Sequence, residues 1–220
     1  MNQITYFKKI KKSTLKKMNI FIDKDVKIGK NVKLGYGVNL LRGTEIEDNV
    51  DIVSNSSIDN CKIKSGVKIQ SSVLIDSIVE QGTQIGPFAN IRANCVVGKN
   101  CRIGNFVEIK NSQIGNNTKI AHLTYVGDAN IGENCNIGCG VVFCNYNGKV
   151  KQSSLVGNCV FIGSNVNIVA PIKIGDNAFI AAGSTITQNV CENEFAIARE
   201  RQTNKTNFNN PYLEKFKENP

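Results

Sequence analysis

Aliphatic side chains recur at every sixth position through most of this 220-residue chain. The first uninterrupted run consists of Ile28, Leu34, Leu40, Ile46, Ile52 and Ile58. Steps of five and six residues follow, and the pattern then continues from Ile85 to Ile137 and again from Val156 to Ile186. An α-helix repeats every ~3.6 residues and a strand every two, so neither keeps an apolar residue at this spacing. A triangular coil does, because three six-residue sides return the chain above its starting point.

The residues beside the periodic aliphatics suit the corners of such a coil. Gly often follows the aliphatic, and Asn comes two residues later, at Asn31, Asn100, Asn117, Asn134 and Asn177. Corners between short strands need backbone angles that Gly adopts freely and Asn tolerates well. The 19 glycines, four prolines and absence of tryptophan also favour many short strands over a helical bundle. We therefore expect an all-β solenoid of about nine coils, ~40 Å tall at ~4.8 Å per coil.

Three segments depart from the repeat. Residues 1–20 form a basic N-terminal segment, in which the spacing of Ile4, Phe7 and Ile10 predicts a short amphipathic helix. The solenoid domain is predicted at 21–190, and an irregular tail at 191–220. A break at 144–155 predicts one extruded loop. It is either a harmless insertion or, because it carries Lys149 and Lys151, a lid over an anionic ligand.

The net charge of +9 does not by itself indicate nucleic-acid binding. Six lysines lie between Lys8 and Lys17, so a solvated basic segment is favoured over a nucleic-acid arm, and no nucleic-acid motif is present. Anionic small molecules remain possible ligands. The chain has neither a signal-peptide pattern nor an apolar run of 18 residues, so we expect a cytoplasmic protein with no membrane partner.

The eight cysteines do not form a disulfide framework or a metal site by their spacing. No C-x-x-C pair occurs, and the only histidine has no cysteine nearby at zinc-finger spacing. Four cysteines fall two residues before a periodic aliphatic, in a slot that Val or Thr fills elsewhere: Cys61, Cys95, Cys101 and Cys135. We predict that these four are small buried core residues and that no metal is bound.

Eight short stretches between residues 85 and 202 carry a more specific signal. They are 85–92 (IGPFANIR), 104–110 (GNFVEIK), 121–128 (AHLTYVGD), 144–146 (CNY), 161–164 (FIGS), 169–171 (VAP), 180–183 (IAAG) and 196–199 (AIAR). In order and spacing, this part of the chain resembles the acetyltransferase half of the bifunctional UDP-N-acetylglucosamine pyrophosphorylase/glucosamine-1-phosphate N-acetyltransferases, which are hexapeptide-repeat acyltransferases. Residues 1–84 share the repeat but little of the distinctive sequence.

The resemblance implies a fold, an assembly and a reaction. The solenoid would be a left-handed parallel β-helix, and the protein a homotrimer with active sites between subunits. Acetyl-CoA would donate an acetyl group to the amine of glucosamine 1-phosphate, giving N-acetylglucosamine 1-phosphate for the synthesis of UDP-N-acetylglucosamine and cell-envelope precursors. No metal is implied for the acetyl transfer.

The resemblance also implies the catalytic residues. His122 would be the general base that takes a proton from the attacking amine, since imidazoles of ordinary pKa, about 6.5, are mostly neutral at neutral pH. A lone histidine is more often structural, but this one lies inside a matching stretch. Glu108 would orient His122, although it could equally be an ordinary surface charge. Ser164 would donate a hydrogen bond to the oxyanion formed at the thioester.

The remaining site residues are implied in the same way. Arg92, Lys110 and Lys151 would bind the sugar phosphate, since a phosphate needs converging cationic donors. Four residues would complete the sugar pocket: Tyr125, Asn136, Asn145 and Tyr146. Five would bind acetyl-CoA: Cys139, Ser164, Ala182, Arg199 and Lys205. Cys139 and Asn147 stand where the family commonly has Ala and Asp, and the match is poor after Gln202.

Other functions fit the sequence less well. The chain lacks the Leu-x-x-Gly-x-Gly-Thr-x-Met loop of a nucleotidyltransferase, so a separate nucleotidyltransferase would be a partner for uridylyl transfer. A carbonic anhydrase on this fold would need three His ligands, and one is present. Two alternatives stay open: an acyltransferase for another amino sugar or alcohol, and a non-catalytic β-helix subunit that binds a nucleotidyltransferase.

Overall fold

The computed structural model describes residues 3–5, 12–206, 208 and 211. It is a three-sided parallel β-solenoid of nine complete coils followed by a partial tenth. Strands of two to four residues build it, and each is followed by a corner that turns the chain onto the next face. The all-β parallel solenoid predicted from the repeat is therefore confirmed, with about the predicted number of coils, and it is consistent with the left-handed β-helix that the resemblance implies.

The elements follow one another along the chain with few interruptions. The first four coils and the segment before them contain β1 (Gln3–Thr5), α1 (Lys12–Lys17), β2 (Phe21–Ile22), β3 (Lys27–Ile28), β4 (Lys33–Gly35), β5 (Asn39–Leu41), β6 (Glu45–Ile46), β7 (Asp51–Val53), β8 (Ser57–Asp59), β9 (Lys62–Ile63), β10 (Lys68–Gln70), β11 (Val73–Ile75), β12 (Ile78–Val79) and β13 (Gln84–Ile85). The next three contain β14 (Asn90–Arg92), β15 (Val96–Val97), β16 (Arg102–Asn105), β17 (Glu108–Lys110), β18 (Gln113–Ile114), β19 (Lys119–His122), β20 (Tyr125–Gly127), β21 (Ala129–Ile131) and β22 (Asn136–Ile137). The last contain β23 (Val142–Cys144), β24 (Ser154–Val156), β25 (Phe161–Ile162), β26 (Asn167–Val169), β27 (Ile172–Ile174), β28 (Phe179–Ile180), β29 (Thr185–Ile186) and β30 (Phe195–Ala196).

Every third strand belongs to the same sheet. Sheet B runs from β2 to β29, sheet C from β3 to β27, and sheet A from β4 to β28 with β1 and β30 added at its ends. The periodic aliphatics point inward and stack in register, as Ile103, Ile120 and Ile137 do on successive strands of sheet A. All of them are buried except Ile28, which is partly exposed. Burying an aliphatic side chain contributes about 1.5–3 kcal/mol, so this column is the main source of stability.

The corners confirm the reason for the repeated asparagines. Asn31, Asn100, Asn117, Asn134 and Asn177 all have positive φ, between 54° and 59°. The four predicted core cysteines are also confirmed as buried. Burial raises the pKa of the Cys61 thiol to about 11, as expected for a cysteine that serves only to fill space.

The start of the chain differs from its prediction. Ile4 does not lie on a helix: it is the central residue of β1, which pairs antiparallel with β4. Phe7 and Ile10 lie outside the described residues. A helix does occur in the basic segment, at α1, and the residues at its end, including Leu15, Met18 and Ile20, pack against the core. This segment therefore covers the first coil. No helix in the described ranges is both long enough and apolar enough to cross a membrane.

The predicted loop and tail also have defined places. The chain leaves the solenoid after β23, whose Phe143 is a fully buried core residue, and returns at β24. The loop therefore occupies the corner between sheets B and C. The segment predicted as a tail, 191–220, begins with one more strand, since β30 pairs parallel with β28.

Candidate active site

Four predicted site residues lie one above another along one edge of the solenoid, the A/B corner. This corner consists of the turns that join sheet A strands to the following sheet B strands. His122 is the last residue of β19. On the next three coils Cys139, Ser164 and Ala182 lie in the turns that follow β22, β25 and β28. Main-chain hydrogen bonds of 2.8–3.3 Å join successive corners. The N–H groups of Gly140, Asn165 and Gly183 donate to the carbonyls of His122, Cys139 and Ser164, respectively. The edge therefore presents one predicted residue per coil, about 4.8 Å apart.

The imidazole of His122 is exposed at this corner. Its Nδ1 atom lies 2.6 Å from Oδ1 of Asn105, the residue directly opposite on β16. The main chain of His122 is fixed as well, because its carbonyl accepts a 2.7 Å hydrogen bond from the Thr124 hydroxyl. An exposed ring on a fixed backbone is available to a ligand at this corner.

Glu108 has a different partner from the predicted one. Oε1 of Glu108 accepts hydrogen bonds from Nε and Nη2 of Arg92, at 3.0 and 2.6 Å. Arg92 is on β14 and Glu108 on β17, so neighbouring strands of sheet B hold the pair together. A role for Glu108 in orienting His122 stays a prediction, while in this structure the carboxylate holds the guanidinium.

The outward face of sheet B carries three of the seven predicted sugar-phosphate residues, Arg92, Lys110 and Tyr125, together with Glu108. Arg92 and Lys110 are in register at the ends of β14 and β17, and Glu108 and Tyr125 are in register at the starts of β17 and β20. All four side chains are partly exposed. This face runs from the A/B corner with His122 to the B/C corner with the loop. It therefore connects the predicted base with the predicted phosphate ligands.

Two lysines converge at the B/C corner. The pKa of Lys151 lies below its ordinary value, chiefly because the nearby Lys110 ammonium disfavours a second positive charge, with a smaller effect of desolvation. The negative charge of Asp128 favours the charged form of Lys151 but does not compensate. Two neighbouring ammonium groups attract an anion, because a negative charge near both relieves their repulsion.

Asp128 anchors the loop beside these lysines. Its carboxylate accepts hydrogen bonds from Asn111 Nδ2, at 2.6 Å, and from Asn145 Nδ2. Burial favours a higher pKa for Asp128, but these hydrogen bonds and the charges of Lys110 and Lys151 outweigh it and leave the pKa below its usual range.

Tyr125 and Asn145 meet over a glycine. A Cβ at Gly127 would lie 2.5 Å from the Tyr125 hydroxyl and 2.7 Å from Asn145 Nδ2. Only glycine leaves room for both polar groups at this point. The structure thus brings Tyr125, Asn145, Lys110 and Lys151 close to one another.

The other predicted residues lie farther along or on another face. Tyr146 is in the loop, where its hydroxyl donates to the carbonyl of Gly148 over 2.8 Å. Arg199 lies near the A/B corner, since its Cδ atom would be 3.5 Å from a Cβ at Gly183. Asn136 lies on the outward face of sheet A, not sheet B. Lys205 is exposed beyond the last strand. One chain therefore does not bring all of these residues together.

Sequence reasoning missed Asn105 and Asp128. Both lie inside the matching stretches, at 104–110 and 121–128, so a signal was present. Their partners, His122 and Asn145, lie one coil away at separations of 17 residues. In the described part of the chain, no three potential ligands among His, Cys, Asp and Glu cluster closely enough to hold a metal ion.

Models of known families match three parts of the chain. Residues 25–60 match the hexapeptide repeat of succinyl-transferase, 74–146 the GMPPB C-terminal domain, and 153–188 the bacterial transferase hexapeptide (six repeats). Each match covers a portion of the solenoid, in agreement with the coils described above.

Curated relatives match the chain more closely. Bifunctional protein GlmU of Caldicellulosiruptor saccharolyticus is 54% identical over 127 residues, which are 58% of this chain and 27% of the relative. GlmU of Clostridium botulinum is 53% identical over 127 residues, 58% of this chain and 28% of the relative. Over this stretch the chain is homologous to GlmU. It spans just over a quarter of the length of these GlmU proteins.

Solved structures agree on the fold. The UDP-N-acetylglucosamine acyltransferase LpxA of Bacteroides fragilis matches with a TM-score of 0.50 and 20% identity, over 78% of this chain and 66% of LpxA. At that identity the likeness shows a shared β-helix. The GlmU resemblance carries the more specific information about the site.

Proposed function

We propose that this protein transfers the acetyl group of acetyl-CoA to the amine of glucosamine 1-phosphate, giving N-acetylglucosamine 1-phosphate. The observation that carries the proposal is the convergence of Lys110 and Lys151 at one end of the sheet B face, with His122 at the other. The homology to GlmU, 54% identity over 127 residues of the chain, supports the proposal. A nucleotidyltransferase partner would then consume the product, and we place the reaction in the cytoplasm, where acetyl-CoA and sugar phosphates are made.

The lysine pair supports a phosphorylated substrate. Two ammonium groups that repel each other are stabilised when an anion binds between them, and a phosphate dianion supplies enough oxygens for both. Arg92 is placed next to Lys110 on the same face but is held by Glu108. The Tyr125 hydroxyl and the Asn145 amide, which meet over Gly127, are the hydrogen-bonding groups nearest to this phosphate site.

His122 serves as the general base in this proposal. The amine nitrogen attacks the thioester carbonyl carbon while the imidazole accepts the amine proton. The resulting oxyanion receives a hydrogen bond from the Ser164 hydroxyl. The C–S bond then breaks, the acetyl group stays on the sugar nitrogen, and the CoA thiolate takes the proton from the imidazolium.

The A/B corner is the proposed site for acetyl-CoA. Cys139, Ser164 and Ala182 follow His122 one coil at a time and so form a track parallel to the solenoid axis. The stacked rings of Phe161 and Phe179, 4.5 Å apart, are exposed on the strands that lead into this track and offer apolar surface to the pantetheine arm. Arg199 and Lys205 would pair with the CoA phosphates at its far end.

A trimer would complete the site. Asn136 faces outward from sheet A while the phosphate ligands lie on sheet B, so a second subunit is needed to bring both to one substrate. Three bulky apolar side chains, Phe88, Phe106 and Leu123, are exposed at successive turns of the A/B corner. We define them as the corner strip. An apolar strip beside a site is typical of a subunit contact.

The function is tested by following thiol release from acetyl-CoA with a panel of amines. Glucosamine 1-phosphate should be the preferred acceptor, ahead of glucosamine, serine and nucleotide amino sugars. Lys151→Met should raise KM for glucosamine 1-phosphate about 10- to 100-fold, the effect of losing one charge-assisted hydrogen bond, and leave unphosphorylated glucosamine unaffected. Lys149→Met, in the same loop, is the matched control and should change neither constant.

Two results would reject this assignment. Turnover of another amine without any of glucosamine 1-phosphate would reject the substrate. No turnover of any acceptor by the trimeric protein would reject the enzymatic function and favour the alternative of a non-catalytic subunit.

A further inference from the structure

Asn105 and His122 form a side-chain pair that the resemblance did not identify. They end β16 and β19 and are opposite each other in the register of sheet A. Oδ1 of Asn105 lies 2.6 Å from Nδ1 of His122. In the main chain, the N–H of Leu123, the residue after His122, donates to the carbonyl of Asn105 over 3.1 Å. Asn105 and His122 are therefore held together by both a side-chain contact and their strands' main chains.

The strands under this pair approach each other closely. A Cβ at Gly104, the residue before Asn105, would collide with the carbonyl oxygen of Ala121, the residue before His122. Glycine is therefore required at 104 for the two strand ends to meet as they do. Asn105 itself is only partly exposed, which limits the positions that its amide can adopt.

We propose that Asn105 is a positioning residue that fixes the tautomer of His122, with the proton on Nδ1 and the lone pair on Nε2. An amide oxygen can only accept a hydrogen bond, so Nδ1 must be the donor. A neutral imidazole carries a single ring proton, so Nε2 is left as the acceptor. Nε2 is also the atom on the side of the ring away from Asn105, and it is free to take a proton.

The catalytic consequence rests on the proposed function, but the tautomer does not. If His122 is the base of the acetyl transfer, the acceptor nitrogen must be Nε2, and a ring in the other tautomer would present a proton where a lone pair is needed. Among the described residues, Asn105 is the one hydrogen-bond partner of the His122 ring.

A neutral partner also suits a base. A carboxylate on Nδ1 stabilises the imidazolium, whereas an amide orients the ring without adding charge. The titratable groups on the surrounding elements are Arg102 on β16, Lys119 on the same strand as His122, Glu108 and Tyr125 at the starts of two sheet B strands, and Cys139 at the next corner. Of these, Glu108 is paired with Arg92.

The chain contains one histidine, so the imidazole can be observed without ambiguity. In tag-free trimer, the ¹⁵N and ¹³C NMR signals of the ring should report the Nδ1–H tautomer at alkaline pH. Asn105→Ala should shift the ring towards the Nε2–H form and lower kcat up to about 100-fold, with both KM values unchanged, because the base is misplaced. Asn130→Ala, at an exposed position on sheet C, is the control and should change neither readout.

An isosteric variant separates positioning from folding. Asn105→Asp keeps an acceptor at the same place, so it should keep the Nδ1–H tautomer. Its added negative charge should stabilise the imidazolium and so move the acidic limb of the kcat/KM profile to higher pH.

The two hypotheses fail in different ways. An Nε2–H ring in the unmodified protein, or an Nδ1–H ring that persists in Asn105→Ala, would overturn the positioning role even in an active enzyme. An Nδ1–H ring that depends on Asn105, in a protein that acetylates nothing, would support the positioning role and reject the proposed function.

Discussion

Single residues at the corners of this solenoid fall into two groups. At the C/A corner, where sheet C strands lead into sheet A strands, asparagine provides the positive φ that the turn needs. Asn117 and Asn134 are examples, and asparagine adopts this angle with little strain. At the A/B corner Phe88, Phe106 and Leu123 hold positive φ angles of 59°, 54° and 46° with bulky side chains. Such residues cost about 1–3 kcal/mol each, and strain of this kind is concentrated at functional sites. These three lie at the edge that carries His122.

The imidazole of His122 is the residue on which the proposed reaction depends. His122→Ala should lower kcat at least ~100-fold, because the amine proton then has no base. The side chain is exposed, so its loss removes no core packing and the trimer should stay intact. Steady-state kinetics with glucosamine 1-phosphate, beside sedimentation analysis of the same samples, measures both. Full activity in this variant would remove His122 from the mechanism.

At the scale of elements, the repeat predicts the coils and the corners because these requirements are local. A C/A corner needs a buried aliphatic residue and, three residues later, a residue with positive φ, most often asparagine, as Ile114 and Asn117 illustrate. Contacts between coils are not local. Residues one coil apart are separated by 16 to 18 positions, and by 25 across the coil with the loop.

This variation explains the residues that the sequence left unidentified. A one-residue change in coil length replaces every neighbour on the next coil, so the partner of His122 could not be assigned to Asn105 rather than Glu108. The same holds for Asp128 and Asn145. At the chain start, pairing with β4 outweighs the helical spacing of Ile4.

The loop depends on Asp128, whose low pKa has a consequence for stability. A carboxylate with a pKa lowered in the folded state stabilises it above the unfolded pKa, about 3.9, and this stabilisation is lost as pH falls through the lower folded value. Asp128→Asn should therefore reduce the free energy of unfolding at pH 7 by on the order of 2 kcal/mol, the net effect of two charge-assisted hydrogen bonds. The deficit should shrink below pH ~4.

Urea unfolding as a function of pH measures this difference. Asp25→Asn is the matched control, since Asp25 is exposed on the first coil, far from the loop. Its unfolding free energy should equal that of the unmodified protein at each pH. A deficit in Asp128→Asn that stays constant down to pH 3 would show that the carboxylate charge is not what stabilises the loop.

For the whole molecule, the solenoid arranges the site along one edge but leaves it open. The proposed phosphate ligands, base and acetyl-CoA track follow one another from the B/C corner across sheet B to the A/B corner, while Asn136 faces away on sheet A. The corner strip runs along the same edge and is more than half exposed. A second subunit that covers the strip would bury this apolar surface beside His122. A change that prevents this contact should therefore abolish assembly and activity together.

Phe106→Glu tests this coupling at the centre of the corner strip. Placing a charge in an apolar contact without a partner is strongly unfavourable, so the trimer should dissociate into monomers without acetyltransferase activity. Phe21→Glu is the matched control, because Phe21 is 54% exposed and Phe106 55%, but Phe21 lies on the first coil away from the strip. It should remain trimeric and active. Light scattering and the thiol-release assay on the same fractions measure both properties, and a trimeric, fully active Phe106→Glu protein would place the subunit contact on another face of the solenoid.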